Sequence, residues 1–440
     1  MKQKTITSII LITVGSFFLF FILSNSNISY YKENRYINWI DNNQPKFRMA
    51  GSWEIGPIEI NNNDPSKNWS ITAATYEWCS GLGTFNSPYI IENVTIDGEG
   101  TSNCISILNS NVYFVINNCT LINSGGTSHS AGIKLENVNN GTIIKNDCLF
   151  NEYGIYLDSS NNNTLSENIA NYNTVSGIFL REHCNDTKII GNTANYNAEN
   201  PTPGEGIYIK YSYNNLIYKN NFSYNAGRGM DLRSIYNSEI VNNTANYNGD
   251  DPFKGEGIAV QSSENISVSS NKVQGNDYGM NIYNDRNCKI FNNTVISNEN
   301  YGLKVESVIN VTISKNNISY SYTGIKLRGY NNTVSENYVK ENNEGIRLQK
   351  VNYSIVMGNV IINNHYGIIL TNSYYNNISG NFLTGNDICI SEFECEGNLI
   401  ENNDCHLGDT NPVIPGYNLF VLIGVISIVS SIIVKRPKTS

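Results

Sequence analysis

A tetrapeptide returns along this chain: a Gly, an apolar residue, a variable residue and a second apolar residue, as in GIKL, GIYL, GIFL, GIYI and GMDL. It begins at Gly132, Gly154, Gly177, Gly206, Gly229, Gly257, Gly279, Gly302, Gly324, Gly345 and Gly367. Eight of the ten intervals are 21 to 23 residues; the other two, 29 and 28, carry short insertions. A second marker runs in phase with it. An aliphatic residue three positions before an Asn recurs at Asn146, Asn168, Asn192, Asn220, Asn243, Asn271, Asn293, Asn316, Asn337, Asn359, Asn381 and Asn402. Two markers locked to one period mean a solenoid, in which each unit leans on its neighbours.

The period selects the kind of solenoid. Within each unit apolar and polar residues alternate, which reads as strand with Ile, Leu or Val inward. No sustained helical stripe appears between Asn93 and Asn403, and the several Leu that precede a single Asn in leucine-rich repeats are missing. The expected fold is all-β: a single-stranded right-handed parallel β-helix solenoid of about thirteen rungs of about 22 residues, with terminal membrane segments. Asn in a turn passes amide hydrogen bonds from rung to rung and satisfies backbone groups that would otherwise be buried unpaired. The Gly before each inward residue suits a corner that needs positive φ or room for a neighbouring backbone.

The GIxL corners, the [ILV]xxN ladder and the opening FNSPYIIENVTIDGEG together resemble the NosD-like and carbohydrate-binding/sugar-hydrolase (CASH) group of parallel β-helix repeats, over about residues 85 to 405. The resemblance implies the pectate-lyase-like superfold and leaves the chemistry open. This repeat serves lyases, hydrolases, epimerases, binding proteins and a copper-linked maturation factor.

Residues Ile6 to Leu23 are an uncharged apolar run behind Lys2 and Lys4, a secretory signal or signal anchor. A second such run, Tyr417 to Val434, is followed by Lys435, Arg436 and Lys438. Its flanks place the solenoid outside and the basic tail inside. The segment IPGYNLF resembles an archaeal C-terminal sorting signal of the PGF type, with Tyr417 in place of the usual Phe. The expected organisation is a signal or anchor at 1–28, a cap region at 29–87, the solenoid at 88–407, a linker at 408–416, a membrane or sorting segment at 417–434 and a tail at 435–440. The cap region holds all four Trp residues, Trp39, Trp53, Trp69 and Trp78, as cap core or as ligand surface.

An outside location agrees with sixteen Asn-x-Ser/Thr sequons. Those that coincide with the ladder are expected to be buried. Nine cysteines without CxxC pairs argue against structural zinc. Cys389, Cys395 and Cys405 at one end, and Cys104 and Cys119 near the other, are candidates for disulfides that pin the solenoid's ends. A net charge of −9 argues against a nucleic-acid partner.

Chemistry is expected on the outward residues beside the GIxL corners. Tyr156, Phe179 and Tyr208 form an aromatic row, next to Asp158, Arg181, Lys210 and Arg233, with Asp231 ending the row. Aromatic faces stack on sugar rings, and charged groups take hydroxyls or an acidic substituent. The plainer reading is that these aromatics support strand pairing. Two insertions, Ala198 to Glu205 and Gly249 to Glu256, lengthen one turn two rungs apart and bring Glu199, Glu205, Asp250, Asp251 and Glu256 to one edge. As acid and base, Glu205, Asp231, Asp250 and Glu256 are the catalytic candidates. As hard oxygen ligands, Glu199, Asp250 and Asp251 are the Ca²⁺ candidates, the ion held by polysaccharide lyases that resemble this fold. A solvated acidic loop is the plain alternative. Only four His and five Met are present, so a soft-metal site for copper has little to build on.

Three functions follow. The first is a cell-surface anchored protein that binds polysaccharide or glycoconjugate through the stripe. The second is an extracellular polysaccharide lyase or glycoside hydrolase acting at the same place. The third is a structural or adhesion rod without a small ligand.

Overall fold

The structure, a computed structural model, describes residues 53–198, 204–249 and 255–406. Of two compact units, Met1–Met49 and Ala50–Ser440, the first lies outside the described residues. So do the N-terminal apolar run and the segment 407–440. Among the described residues no helix is long and apolar enough to cross a membrane.

The chain winds as a right-handed parallel β-helix of about 13 turns. Its three walls are a front sheet of fourteen strands, a side sheet of fifteen, and a back sheet in runs of four and eight strands joined by single bridges. Each rung runs front, side, back, and among the described residues every pairing is parallel except Cys79–Ser80 with Tyr89–Glu92 and the single bridge Thr84–Ser87. Strand alternation builds the core. In the front strand Tyr153–Asp158, Ile155 and Leu157 point inward and are fully buried, stacked on Ile133 and Leu135 below and Ile178 and Leu180 above.

The recurring glycines do not adopt positive φ. They are needed for room: a Cβ at Gly132 would lie 2.8 Å from the Gly154 carbonyl oxygen, and one at Gly154 would lie 2.5 Å from that of Gly177. The left-handed corner positions fall to other residues, chiefly Asn.

The Asn ladder lies between side and back sheets. Asn220 Nδ2 donates to Ile189 O at 2.8 Å and to Asn243 Oδ1 at 3.0 Å, while its own Oδ1 accepts from Asn192 N at 2.8 Å. The last member is Asn403, not Asn402: Asn381 Nδ2 donates to Asn403 Oδ1, and Asn402 takes the left-handed position beside it. The inward Ile400 sets the register, rather than Leu399. A second inner ladder, at the back–front corner, runs five residues later through Asn151, Asn173, Asn197, Asn225, Asn248, Asn276 and Asn298, breaks at Ser321, and resumes at Asn342, Asn364 and Asn386.

The ends are closed differently. Strands Trp53–Ile55 and Ile58–Asn61 already pair with the back and front sheets, so a partial rung lies within the stretch read as a cap. A helix, α1 (Trp69–Thr75), covers it, N-capped by Asn68. Trp69 is cap core: it stacks on Tyr89 at 5.1 Å and its indole donates to Ser110 Oγ at 3.0 Å. At the other end Cys389 and Cys405 form a disulfide. Cys104 and Cys119, expected to pin the first end, are instead free and separately buried, and burial pushes both thiols up to about 12.

Candidate functional site

The front sheet carries the predicted stripe in the predicted register. The outward column runs Lys134, Tyr156, Phe179, Tyr208, Asp231, Ala259, Asn281, Lys304, Lys326, Arg347, Ile369, each paired with the next. The rings do stack, Tyr156 on Phe179 at 5.5 Å and Phe179 on Tyr208 at 4.6 Å, both within 8° of parallel. This arrangement uses up the ring faces. Lys134 Nζ closes the Tyr156 end at 5.7 Å, and the Arg233 guanidinium closes the Tyr208 end at 5.4 Å. Tyr156 is buried under His129 and Tyr153. The row therefore offers solvent the edges of Phe179 and Tyr208, and the expected open ring faces are absent. Burial pushes the Tyr156 and Tyr153 phenols up to about 12, and raises Tyr208 as well, against the pull of Arg233.

Above the rings sits a knot of charge. Asp231 is fully buried and accepts from Arg228 Nη1 at 2.7 Å, from Arg233 Nε at 2.9 Å and from Arg233 Nη2 at 2.6 Å. Arg228 Nε reaches Glu256 Oε2 at 2.5 Å, and Asn281 Nδ2 donates to Glu256 Oε1 at 2.7 Å. Burial opposes the charge on Arg228, but Glu256 and Asp231 hold its pKa above the ordinary value. Glu205 accepts from Ser176 Oγ at 2.9 Å, and burial followed by the nearby Asp231 raises its carboxyl above the usual range.

The two insertions explain how these acids arrive. Each leaves the back–front corner just after a ladder Asn, Asn197 or Asn248, and returns through Gly-Glu-Gly. A Cβ at Gly204 would lie 2.1 Å from Val175 O, and one at Gly255 would lie 1.8 Å from Asn248 O, so only Gly closes these loops. The Glu that follows is laid on the front sheet. The expected carboxylate pair is not left open: Arg228 stands beside Glu256, both oxygens of Glu256 are engaged, and so are both of Asp231. Glu199, Asp250 and Asp251 lie outside the described residues, and with them the Ca²⁺ candidates. Among the described residues no group of three or more His, Cys, Asp or Glu is arranged to hold a metal.

What remains accessible is the second outward column. Arg181 sits 3.6 Å from Asp158 with its side chain 46% exposed, and Arg233 is 39% exposed beyond its contact with Asp231. Lys210 lies between them in sequence order of rungs, its Nζ 4.3 Å from the Tyr211 ring centre. Three cations on successive rungs border the ring edges.

The family model described as periplasmic copper-binding protein (NosD) matches residues 90–253, 246–349 and 328–406. Among the described residues no cluster fits copper. Met230 and Met280 point into the core, and burial pushes the thiols of Cys184 and Cys288 up to about 12. His129, His183, His365 and His406 fall on separate rungs. No curated protein matches the chain. Among solved structures, a double mutant of the periplasmic alginate epimerase AlgG is 13% identical, with 81% of this chain and 85% of that one covered and a TM-score of 0.49. The Dettilon tailspike protein is 15% identical (68% and 61% covered, TM-score 0.41). PfbA, a surface adhesin of Streptococcus pneumoniae, is 10% identical (73% and 90% covered, TM-score 0.37).

Proposed function

The chain belongs to the NosD family, and from that premise we propose that it works outside the cytoplasm as a binder of polysaccharide or glycoconjugate. The run 417–434 with its basic tail is its proposed anchor. The single observation that carries the binding reading is the row Arg181, Lys210, Arg233 beside the edges of Phe179 and Tyr208. Cations repeated along a rigid sheet suit a chain that repeats its own acidic substituents, since guanidinium groups take carboxylate or sulfate by paired hydrogen bonds. Ring edges and Tyr hydroxyls serve the remaining polar groups.

Binding is favoured over turnover because both oxygens of Asp231 and of Glu256 are already engaged by Arg228, Arg233 and Asn281. One feature supports an enzyme: the raised carboxyl of Glu205, suited to a general acid. Retention of the full-length protein on immobilised polyuronates, sulfated and neutral polysaccharides tests the proposal, with reducing ends and unsaturated products followed in parallel. Selective retention on the acidic polymers is the expected result. Released product lost in Glu205→Gln would move the reading to a lyase or hydrolase, and no retention on any polymer would leave a structural rod.

A further inference from the structure

The fifteen sequons within the described residues are not scattered. At the front–side corner Asn140, Asn162, Asn265, Asn310 and Asn331 occupy one turn position, with φ between 54° and 66°. Asn185 and Asn352 lie one residue earlier in that turn, and Asn377 opens the next side strand. At the side–back corner Asn93, Asn118, Asn242 and Asn292 share another left-handed position, φ 52° to 60°, and Asn221 and Asn317 follow on the back sheet. Asn68 caps α1. None of the fifteen belongs to the inner ladders, whose Asn residues are buried, and none of the fifteen is itself buried.

The outward columns of the front sheet and the back–front corner carry no sequon at all. The gap is not for want of Asn or Ser. Asp158-Ser159-Ser160, Lys210-Tyr211-Ser212, Gln261-Ser262-Ser263 and Thr371-Asn372-Ser373 each supply the hydroxyl residue with something other than Asn in the first place. Asn200-Pro201-Thr202 has the spacing but is disqualified by Pro. At the back–front corner four successive rungs put Tyr in the left-handed position, Tyr172, Tyr196, Tyr224 and Tyr247, with φ of 55° to 61°, and where Asn does stand there, as at Asn363, no sequon follows. A bulky residue there is strained, and Asn would be the easier choice. These tyrosines stack on each other at 5.1 to 5.4 Å.

We infer that N-linked glycans clothe the side sheet and its two corners, and that the front sheet with the back–front corner is kept bare as the contacting face. The transfer balances with a polyprenyl-phosphate-linked oligosaccharide as donor. Asn Nδ2 bonds to the sugar C1 and gives up one proton, and the phosphate leaves with the electron pair. The amide keeps one N–H, so rung-to-rung bonds such as Asn162 Nδ2 to Asn140 Oδ1 at 2.7 Å and Asn265 Nδ2 to Asn237 Oδ1 at 2.8 Å survive modification. An open groove of about 740 Å³ at the front–side corner, lined by Tyr213, Tyr236, Glu264, Asn265 and Asn310, gives the first sugars a wall to lie against.

The test is glycopeptide mass spectrometry on the full-length protein purified from the cells that make it. Glycan on Asn162, Asn265 and Asn310 is expected, and unmodified Asn at all three overturns the inference without touching the polysaccharide reading. A second arm asks why the front is bare, and its clause on retention rests on that reading. K210N creates a sequon on the front sheet, E239T creates one at Asn237 on the clothed corner, and K210Q controls for the lost charge. Relative to K210Q, the glycosylated K210N protein is expected to lose about tenfold in retention on immobilised polyuronate, while glycosylated E239T keeps it. Equal retention of K210N and K210Q glycoforms overturns the bare contacting face. Loss of retention in the unaltered protein instead counts against the polysaccharide reading, and the glycan map still decides this one.

Discussion

Inside the coil each rung repeats the rung beneath it, whereas on the outer front sheet the residue changes in kind from Tyr156 through Phe179, Tyr208, Asp231 and Ala259 to Asn281. The two regions share one backbone and one register. What repeats satisfies the fold; what does not repeat is free of that duty and is where recognition can be built. Asp231 blurs the division, because it stands on the outer face yet is buried like the core. Replacing it sharpens the comparison most. Asp231→Ala strands two guanidinium groups against each other and is expected to cost roughly 4 kcal/mol in urea unfolding, since breaking a buried pair leaves uncompensated charge. In the C-terminal half of the same sheet, Glu306 bridges Lys326 at 2.8 Å and Lys304 at 3.5 Å. Burial opposes its charge, yet these lysines hold its carboxyl below the usual range. Glu306→Ala there is expected to cost about 1 kcal/mol, because its partners can turn to water. Equal losses would mean that the knot is an ordinary surface network.

A break on the inner side should touch stability alone. Asn220→Ala removes the rung-to-rung bonds to Asn192, Asn243 and Ile189, leaving buried backbone groups unpaired, and is expected to cost roughly 3 kcal/mol. Polysaccharide retention of the folded fraction should be unchanged. A loss of retention at full folding would show that the two regions are coupled.

One inner position departs from its column. Ser212 and Ser263 accept from the backbone N–H of Cys184 and Ile235 one rung below, and in the next rung Asp285 takes that part for Ser263. Its second oxygen has no partner, and burial raises its pKa to about 7, with Cys288 and Glu264 as the charged or titratable neighbours. The folded value lies above the unfolded one, so the fold holds the extra proton. The contribution of Asp285 to stability is then fullest below about pH 4 and is lost as the pH rises through about 7. Asp285→Ser should flatten that fall and raise stability at pH 8 by roughly 2 kcal/mol. An unchanged pH profile would show that the carboxylate is solvated in the folded state.

The sequence showed the inner architecture well because each rung restates it: the winding, the inward residues and the outward register were all legible. It was less legible where a residue's surroundings come from other rungs. Tyr156 reads as exposed by its place in GIYL, but His129 and Lys134 from the rung below cover it. The charges of Arg228, Asp231, Arg233 and Glu256 read as available groups, but rungs about 4.8 Å apart let them close on each other. The second Asn ladder had a plain signal, an Asn five residues after most first-ladder Asn residues, Ser321 being the break, which the aliphatic-anchored pattern passed over.

The smallest change in stability should accompany the clearest change in binding. Arg181 and Lys210 border the ring edges without entering the knot, and Arg181 is held only by its Tyr156 neighbour and by loose pairs with Asp158 at 3.6 Å and Glu182 at 3.9 Å. The double change Arg181→Ala with Lys210→Ala is expected to shift stability by less than about 1 kcal/mol, as surface substitutions do. Retention on immobilised polyuronate should fall about tenfold at low salt, and the difference from the parent should vanish at high salt, where exposed charges are screened. Lys326→Ala serves as the counterpart on the same sheet. That lysine is turned onto Glu306 and its side chain is only 15% exposed, so its loss should leave retention where it was. If both variants lost retention equally, binding would follow the net charge of the sheet, and the two halves of the front face would no longer be distinct. If only Arg181 and Lys210 matter, the binding track is confined to the rungs that carry the insertions, where the outward residues depart furthest from the repeat.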